Sequence, residues 1–465
     1  MRSFPVLLTA CILLQPGVLI ANTGKNAPRP NFLFLLVDDL GWADLGCYGS
    51  TFHETPHLDR LAKEGVRFTD AYTAASICSP TRASLMTGKH PVRVDITDWI
   101  PGSSGQGRRM KTPQDTHQLA LEEVTIAEAL KEGGYSTFYT GKWHLGGKAF
   151  SPDKQGFDEY YDPHHDPSKG SPGKGRTTGR KHATIDLTRE TKSFIRRNRD
   201  GPFFAYLAYY DIHTPIIAEK KYQEHYTRKA AMLGPSPKPI REHDGVSRPR
   251  QDNVALASMV QAVDDSVGEL VAHLGELGIL ENTYIFFFSD NGGLCTKHTV
   301  GPGCNLPLRA SKGWLYEGGI RVPLIVRQPG KKNAGAQPTD CVLSTDLYPT
   351  LLGLAGLPLR PGQHADGRSF EDLLVDAGGR KAPRRLYWHY PHYHGSTWTP
   401  GAAIRDGDWK LIEFYHYGNV ELYNLKDDPG EAKDLAARFP ERTRELRQRL
   451  RAWQEETGAR MPTPR

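Results

Sequence analysis

Carboxylates and an amide stand directly after two apolar runs of this chain. Asp38 and Asp39 follow one run, and Asp290 and Asn291 follow another. Adjacent carboxylates repel each other unless a cation lies between them, although a turn or a helix cap could also hold such a pair. Four oxygen-bearing side chains form a ligand set that selects calcium or magnesium over zinc. Calcium is favoured because it accepts irregular, oxygen-rich shells.

A cysteine followed by a proline and an arginine is the second candidate for chemistry. In Cys78-Ser79-Pro80-Thr81-Arg82, Pro80 suits the first position of a helix. Cys78 is therefore expected at a helix N-terminus, where backbone N–H groups favour anions, with Arg82 on the same helical face. A thiolate nucleophile could use this geometry. A buried structural thiol is the alternative, and it explains neither Pro80 nor Arg82.

Basic side chains follow two further apolar runs. Lys142 and His144 lie in a glycine-rich segment after one run, and His213 follows the other. Such side chains usually face solvent when they stand alone. Beside the other polar clusters, a functional role is the better interpretation.

The apolar runs themselves predict strands that are covered on both faces. Ligands bind outside the carboxyl ends of the strands in open α/β sheets, so the polar clusters are expected to converge on one site. A capping box at Thr125–Glu128 and an apolar periodicity over residues 252–278 predict helices between the strands, and hence a doubly wound α/β fold. The runs are Asn31–Val37, Tyr135–Thr140, Phe203–Tyr210 and Tyr284–Ser289.

The pattern changes after about residue 360. Short strand-like segments joined by turns, and then an amphipathic helix over about residues 432–453, predict a small antiparallel sheet with one helix. We predict one domain over residues 28–369 and this second unit over residues 370–465. The strand-like segments are Leu386–Tyr390, Ala402–Arg405, Trp409–Tyr415 and Val420–Asn424.

Residues 1–21 predict a secretory signal peptide, because Arg2 precedes an apolar run and a polar stretch follows it. Gln15, Pro16 and Gly17 interrupt this run, so we expect no stable membrane span. We expect export to the periplasm or beyond. Lipid anchoring at Cys11 is not expected, since the apolar stretch before it is too short.

Composition allows a soluble globular enzyme, with 38% hydrophobic and 24% charged residues. The net charge of +6, from 59 basic and 53 acidic residues, is compatible with an anionic substrate and does not require nucleic acid. It fits a solvated basic surface equally well. Cys295 and Cys304 are close enough in sequence to bridge one loop, and no Cys-x-x-Cys pair suggests zinc.

Several motifs resemble those of the type I, formylglycine-dependent sulfatases. Cys78–Arg82 resembles the C-x-P-x-R signature of that family, and Gly141–Gly146 resembles its second signature. Similarity continues through Asp290–Gly293 and Lys312–Gly319, and it covers about residues 30–440 in the family's order. The resemblance implies an alkaline-phosphatase-like fold, in which helices cover both faces of a large, mostly parallel sheet. It also implies an exported arylsulfatase or carbohydrate sulfatase of bacterial type.

The resemblance further implies that a maturation enzyme converts Cys78 to formylglycine (3-oxoalanine), whose hydrate attacks sulfur and passes through a covalent sulfate hemiester. Asp38, Asp39, Asp290 and Asn291 match the family's ligands of one calcium ion, which the modified Cys78 also touches. The remaining matched positions would hold the formylglycine hydroxyl, grip the sulfate or move protons. They are Arg82, Lys142, His144, His213 and Lys312.

Substrate recognition is the part that the sequence defines least. His389, His392 and His394 stand in an aromatic segment that could bind sugar rings or could simply pack on the core. A sulfated carbohydrate, such as a sulfated galactose or N-acetylgalactosamine unit, is the favoured substrate. One alternative is a phosphate or phosphonate ester hydrolase of the same superfamily. Another is a catalytically dead protein that binds sulfated glycans with an unmodified Cys78.

Overall fold

The computed structural model describes residues 29–102, 108–164, 183–376 and 384–465. The predicted signal peptide and Cys11 lie outside these ranges. Within them, no helix combines the length and the apolar character that crossing a membrane requires.

The described residues form strands and helices that alternate through most of the chain. The strands are β1 (Asn31–Val37), β2 (Val66–Phe68), β3 (Ala71–Tyr72), β4 (Met110–Lys111), β5 (Ser136–Gly141), β6 (Glu159–Tyr161), β7 (Phe203–Ala208), β8 (Ile240–Glu242), β9 (Gly245–Ser247), β10 (Thr283–Ser289), β11 (Thr296–Lys297), β12 (Leu324–Arg327), β13 (Val342–Leu343), β14 (Arg385–Tyr390), β15 (Gly401–Asp406), β16 (Trp409–Phe414), β17 (Asn419–Asn424) and β18 (Thr463–Pro464). The helices are α1 (Pro56–Glu64), α2 (Cys78–Thr87), α3 (Ile126–Glu132), α4 (Ala183–Arg197), α5 (Lys220–Ala231), α6 (Val254–Glu276), α7 (Glu317–Ile320), α8 (Leu347–Leu354), α9 (Glu371–Val375) and α10 (Pro440–Thr457).

A seven-stranded sheet forms the centre of the molecule, in the order β2-β12-β10-β1-β7-β5-β6. Only β12 runs against its neighbours in this sheet; β10, β1, β7, β5 and β6 are parallel. The four predicted apolar runs are β1, β5, β7 and β10, so the predicted mostly parallel sheet is confirmed. In register, Val37 pairs with Ser289 and Gly141 pairs with Ala208, which brings their carboxyl ends to one edge.

Alternate residues of β1 enter two separate cores, one on each face of the sheet. Phe32, Phe34 and Leu36 pack with α3, α8 and α9, while Leu33, Leu35 and Val37 pack with α1, α4 and α6. These six side chains are each at most 1% exposed, which explains the continuous apolar run. The predicted capping box is also confirmed, because Thr125 and Glu128 bond reciprocally at the start of α3.

The C-terminal part is an antiparallel sheet of β14 to β17 with α10 against one face. Its other face packs on the main domain through a cluster that includes Tyr72, Trp314 and Trp388. The predicted small sheet with one helix is therefore confirmed. Leu373 and Leu374 of α9 pack in the core of the main sheet, and the domain boundary after residue 369 stays a prediction.

Three predictions made from the sequence are wrong. The last helix begins at Pro440 rather than near residue 432, because Asp434 accepts the N–H of Leu422 and holds the preceding segment against β17. Pro80 is the third residue of α2, a first-turn position where its missing N–H costs no helical bond. Cys295 and Cys304 do not form a bridge: both are free, buried thiols, and Cys295 donates to the carbonyl of Ala310.

Candidate active site

Polar residues from four strand ends meet at the carboxyl edge of the central sheet. The ladder continues one step beyond the strands, since Asp290 N donates to Val37 O and Lys142 N donates to Ala208 O, at 3.1 and 3.0 Å. Asp38 N likewise donates to Asp211 O at 3.0 Å. These bonds fix the direction in which each following side chain leaves the sheet.

The carboxylates and the amide form one buried cluster. Asp38, Asp290 and Asn291 are 0% exposed, and Asp39 is 3% exposed. Asn291 Nδ2 donates to Asp39 Oδ1 at 2.8 Å, and Asp39 N donates to Asp290 Oδ1 at 3.2 Å. Asp39 adopts a positive φ of 67°, a conformation found mainly where the surroundings enforce it.

Two oxygens of this cluster have no hydrogen-bond donor among the described residues. They are Asp39 Oδ2 and Asn291 Oδ1, and both are buried. Buried polar atoms are nearly always paired, so an unpaired pair of oxygens indicates a missing partner. Ligand atoms of Asp38, Asp39, Cys78 and His213 also lie within 4.8 Å of one another. A hard cation fits the carboxylate and amide oxygens of this cluster.

Cys78 is the first residue of α2 and is 1% exposed. Its Sγ donates to Asp38 Oδ1 at 3.4 Å and accepts from Lys312 Nζ at 3.3 Å. Burial and the Asp38 carboxylate raise the pKa of the Cys78 thiol to about 12. The encoded thiol is therefore neutral in this arrangement and a poor nucleophile.

Three cations surround the acidic cluster. Arg82 donates from Nε and Nη2 to Asp290 Oδ2 at 3.0 and 2.8 Å, and from Nη1 to the carbonyl of Lys142. Lys142 Nζ donates to Asp38 Oδ2 at 2.5 Å, and Lys312 Nζ donates to Asp39 Oδ1 at 2.7 Å. Burial opposes ionisation of Asp38, but the positive charge around it, Lys142 first, holds its pKa well below the usual range.

Two histidines complete this group. His144, at φ 59°, donates from Nε2 to Ile100 O at 2.6 Å, and its buried Nδ1 has no partner among the described residues. His213 donates from Nδ1 to Thr214 O at 2.7 Å, and its Nε2 lies 3.8 Å from Asp39 Oδ2. Burial lowers the pKa of both imidazoles, and the Lys142 charge adds to this at His144. Each ring therefore keeps a lone pair on the nitrogen that does not donate.

The structure separates the three histidines that the sequence suggested for substrate binding. His389 lies between β14 and α10, where its ring nitrogens meet Gln454 and the carbonyl of Arg460. His392 is buried against Thr97, with Nε2 2.8 Å from Thr97 Oγ1. His394 is the one beside the charged cluster: the Lys312 charge adds to burial in lowering its pKa to about 3. A Cβ on Gly313 would also overlap its ring.

Sequence reasoning missed a segment that touches the site through its backbone. The carbonyl of Ile100 accepts from His144, and the N–H of Ile100 donates to Ser79 Oγ at 3.1 Å, one residue after Cys78. Asp115 holds this segment by accepting from the N–H groups of Thr97 and Asp98. Backbone contacts carry no residue signature, so no motif could have indicated them.

Known protein families match both the main domain and the C-terminal part of this chain. The sulfatase family model matches residues 30–357, and the model of the C-terminal part of N-sulphoglucosamine sulphohydrolase matches residues 310–456. A sulfatase of Formosa agariphila is 30% identical, over 97% of this chain and 94% of its own. Human arylsulfatase A is 32% identical, over 92% of this chain and 87% of its own. Human N-acetylgalactosamine-6-sulfatase is 34% identical, over 80% of this chain and 70% of its own.

Solved structures agree with these relatives. The crystal structure of Ps i-CgsB superposes with a TM-score of 0.73 at 30% identity, covering 91% of this chain and 92% of that one. The phosphonate monoester hydrolase of Agrobacterium radiobacter, at 20% identity and a TM-score of 0.66, shares the fold.

The fold and its neighbours define an α/β enzyme of the alkaline-phosphatase-like class, as the sequence predicted. Within that class the chain belongs to the sulfatase family. It is an enzyme that hydrolyses sulfate esters, which confirms the predicted activity.

Proposed function

We propose that this sulfatase removes sulfate from a sulfated carbohydrate, with residue 78 as formylglycine and one bound calcium ion. The observation that carries the proposal is the position of Cys78 Sγ, within 3.4 Å of both Asp38 Oδ1 and Lys312 Nζ at the edge of an oxygen-lined cluster. A relative named for a sulfated sugar supports the substrate class, as does the structure of Ps i-CgsB in complex with a neocarrahexaose.

The four acidic-cluster residues would hold the calcium ion, through oxygens that include the unpaired Asp39 Oδ2 and Asn291 Oδ1. When formylglycine and calcium are both present, the hydrated aldehyde of residue 78 supplies an oxygen nucleophile. The calcium ion supplies positive charge for the sulfuryl oxygens. Arg82 orients Asp290 and, through the carbonyl of Lys142, the segment that leads to His144. A contact between Arg82 and the hydroxyl of a modified residue 78 stays a prediction.

The basic side chains divide into charge donors and proton carriers. Lys142 and Lys312 already lie beside carboxylates, where their ammonium groups can bind sulfuryl oxygens and stabilise the charge that develops on them. His144 offers Nδ1 as a proton acceptor. Lys312 Nζ, or His213 Nε2 once its ring has taken up a second proton, would donate the proton that the departing sugar oxygen needs.

Among the three candidate substrate histidines, we propose His394 as the one that contacts the sugar. It is partly exposed beside Lys312, whereas His389 and His392 are buried. Export and dependence on a maturation enzyme are part of the same proposal. Residues 1–21 support the first, and the thiol encoded at position 78 supports the second.

The nucleophile is tested by mass spectrometry of the tryptic peptide Phe68–Arg82 from natively expressed, active protein. We expect an aldehyde mass that shifts on reaction with a hydrazide. Cys78→Ala should lower kcat by at least about a thousandfold, since losing a nucleophile removes the covalent route. Cys341→Ala, at a partly buried cysteine of the domain interface, is the matched control and should keep its activity. Active protein that contains only the thiol would overturn the mechanism.

The substrate class is tested by measuring the rates at which matched sulfate, phosphate and phosphonate esters are hydrolysed. We expect kcat/KM for 6-sulfated N-acetylgalactosamine or a sulfated galactoside to exceed that for the corresponding phosphate and for a phenyl phosphonate. Faster hydrolysis of the phosphate or the phosphonate would favour a phosphate or phosphonate ester hydrolase instead. Glycan binding without turnover, in natively expressed protein whose residue 78 is still the thiol, would favour a catalytically dead binding protein.

A further inference from the structure

A lysine of the C-terminal sheet lies inside the junction with the main domain. Lys410 of β16 places Nζ 2.8 Å from Glu317 Oε1 and 2.8 Å from Glu431 Oε1. All three side chains are 0% exposed. An ammonium group held between two buried carboxylates is fixed in position, because moving it would leave an unpaired charge out of water.

Six charged residues, Lys410 among them, form an ion cluster, and their charges balance only when both parts of the molecule contribute. The main domain brings Asp70, Glu317 and Arg321, and the C-terminal part brings Arg405, Lys410 and Glu431. Arg321 and Arg405 lie 3.0 and 3.2 Å from the two oxygens of Asp70. Three carboxylates thus face three cations, and each half alone would carry one uncompensated charge.

The ion cluster is connected to the proposed metal site through α7. Glu431 Oε2 accepts the backbone N–H of Glu317 at 2.6 Å, at the start of this helix. Two residues on, the carbonyl of Gly319 accepts the N–H of Gly292 at 3.0 Å. Gly292 directly follows Asn291, and a Cβ there would overlap the carbonyl of Gly318.

The same segment supports Lys312. The carbonyl of Gly293 accepts the N–H of Lys312 at 3.1 Å. Asn305 Nδ2 then joins the two backbones, since it lies 2.8 Å from Gly293 O and 2.9 Å from Gly318 O. A shift of α7 would therefore move both Asn291 and Lys312.

We infer that Lys410 is a positioning residue of the sulfatase reaction: through Glu317 and Glu431 it fixes α7, and α7 fixes the segment that carries Asn291 and supports Lys312. This inference rests on the proposed calcium site. The C-terminal sheet thereby takes part in building a calcium site to which it contributes none of the proposed ligands.

The test is the double variant Lys410→Met/Glu431→Gln. It removes one charge of each sign and keeps an oxygen for the N–H of Glu317, so the variant is expected to fold. Calcium affinity is measured by calorimetry on chelator-stripped full-length protein, together with kcat and KM. We expect calcium to bind about tenfold more weakly and kcat to fall about tenfold, with KM changed less than about twofold, as when supports of metal ligands are removed.

The matched control is Arg327→Met/Glu281→Gln. Arg327 is also 0% exposed and ion-paired, but it lies opposite Ile285, near the start of β10 and away from Asp290. We expect it to lower the unfolding temperature without changing calcium affinity. If the main variant fails to fold, Glu431→Gln alone is measured, with a smaller loss of affinity expected in the same direction.

The outcomes separate this inference from the proposed function. A folded variant that binds calcium within about twofold of the wild type overturns the role of Lys410 alone. A wild-type protein that does not bind calcium overturns the proposed metal site, and this inference with it.

Discussion

At the scale of single residues, the site is organised by atoms that lack partners. Asp39 Oδ2 and Asn291 Oδ1 are buried without donors among the described residues, while Lys142 and Lys312 donate to other oxygens of the cluster. Leaving such oxygens unpaired costs free energy, roughly 1–3 kcal/mol for each group. A bound cation would remove that cost and would therefore stabilise the folded chain as well as the reaction.

Removing calcium is therefore expected to lower the unfolding temperature, and adding it back should restore the temperature. At a free concentration of about one hundred times Kd, the ion should add ~2.7 kcal/mol to the free energy of unfolding. Asn291→Leu should weaken calcium binding at least about tenfold and reduce this calcium-dependent shift. Asn419→Leu, at an exposed position of β17, serves as the control. Equal shifts in wild type and Asn291→Leu would contradict the ligand assignment.

At the scale of elements, the sequence predicts best where one local rule decides the conformation. Continuous apolar runs predict β1, β5, β7 and β10, because both faces of these strands are covered. The start of α3 is predicted by its capping box. The last helix is misplaced because a tertiary contact, from Asp434 to the N–H of Leu422, decides where the chain turns.

The cap of α3 gives a test at this scale. Thr125 is 0% exposed, and its hydroxyl accepts from Glu128 N and donates to the carbonyl of Gln155 at 2.7 Å. Thr125→Ala removes both bonds and should lower the free energy of unfolding by ~1–2 kcal/mol in denaturant titrations. Thr227→Ala, at an exposed position within α5, should change it by less than about 0.5 kcal/mol. Equal effects would show that the cap contributes nothing specific.

The residues of the candidate site also divide into those that a local pattern predicts and those that only tertiary contacts reveal. Every position matched to the family's site lies in the cluster at the sheet edge. The meeting of the carboxyl ends of parallel strands explains this for the residues that follow β1, β5, β7 and β10, but not for Cys78 and Arg82 of α2 or for Lys312. Ile100 and Lys410 were not predicted. One acts through its backbone, and the other lies in a different sheet, so neither has a local pattern. The position of His389 against Gln454 was not predicted either, because the sequence does not show which neighbour covers a side chain.

At the scale of the whole molecule, buried neutral histidines couple stability to pH. Burial lowers the pKa of His389 from 6.5 to about 4. The unfolded chain then binds more protons than the folded chain below pH 6.5. The stability contributed by the neutral ring is therefore complete above pH 6.5 and is lost as the pH falls towards 4.

The difference between wild type and His389→Gln isolates this contribution, because other titrating groups are common to both. We expect the variant to gain about 2 kcal/mol relative to the wild type between pH 7.5 and pH 4.5, in urea titrations at each pH. A constant difference for His389→Gln would mean that its ring becomes protonated without loss of stability.

The burial of Cys78 also fixes an order of events in the life of the protein. The thiol is 1% exposed, and all ten residues of α2 are buried between the sheet and its covering layers. An enzyme cannot reach Cys78 Sγ while the chain is folded in this way. The proposed conversion of Cys78 to formylglycine would therefore have to precede folding. A chain that folded first would keep a shielded, neutral thiol, and the proposed maturation enzyme could convert it only after unfolding.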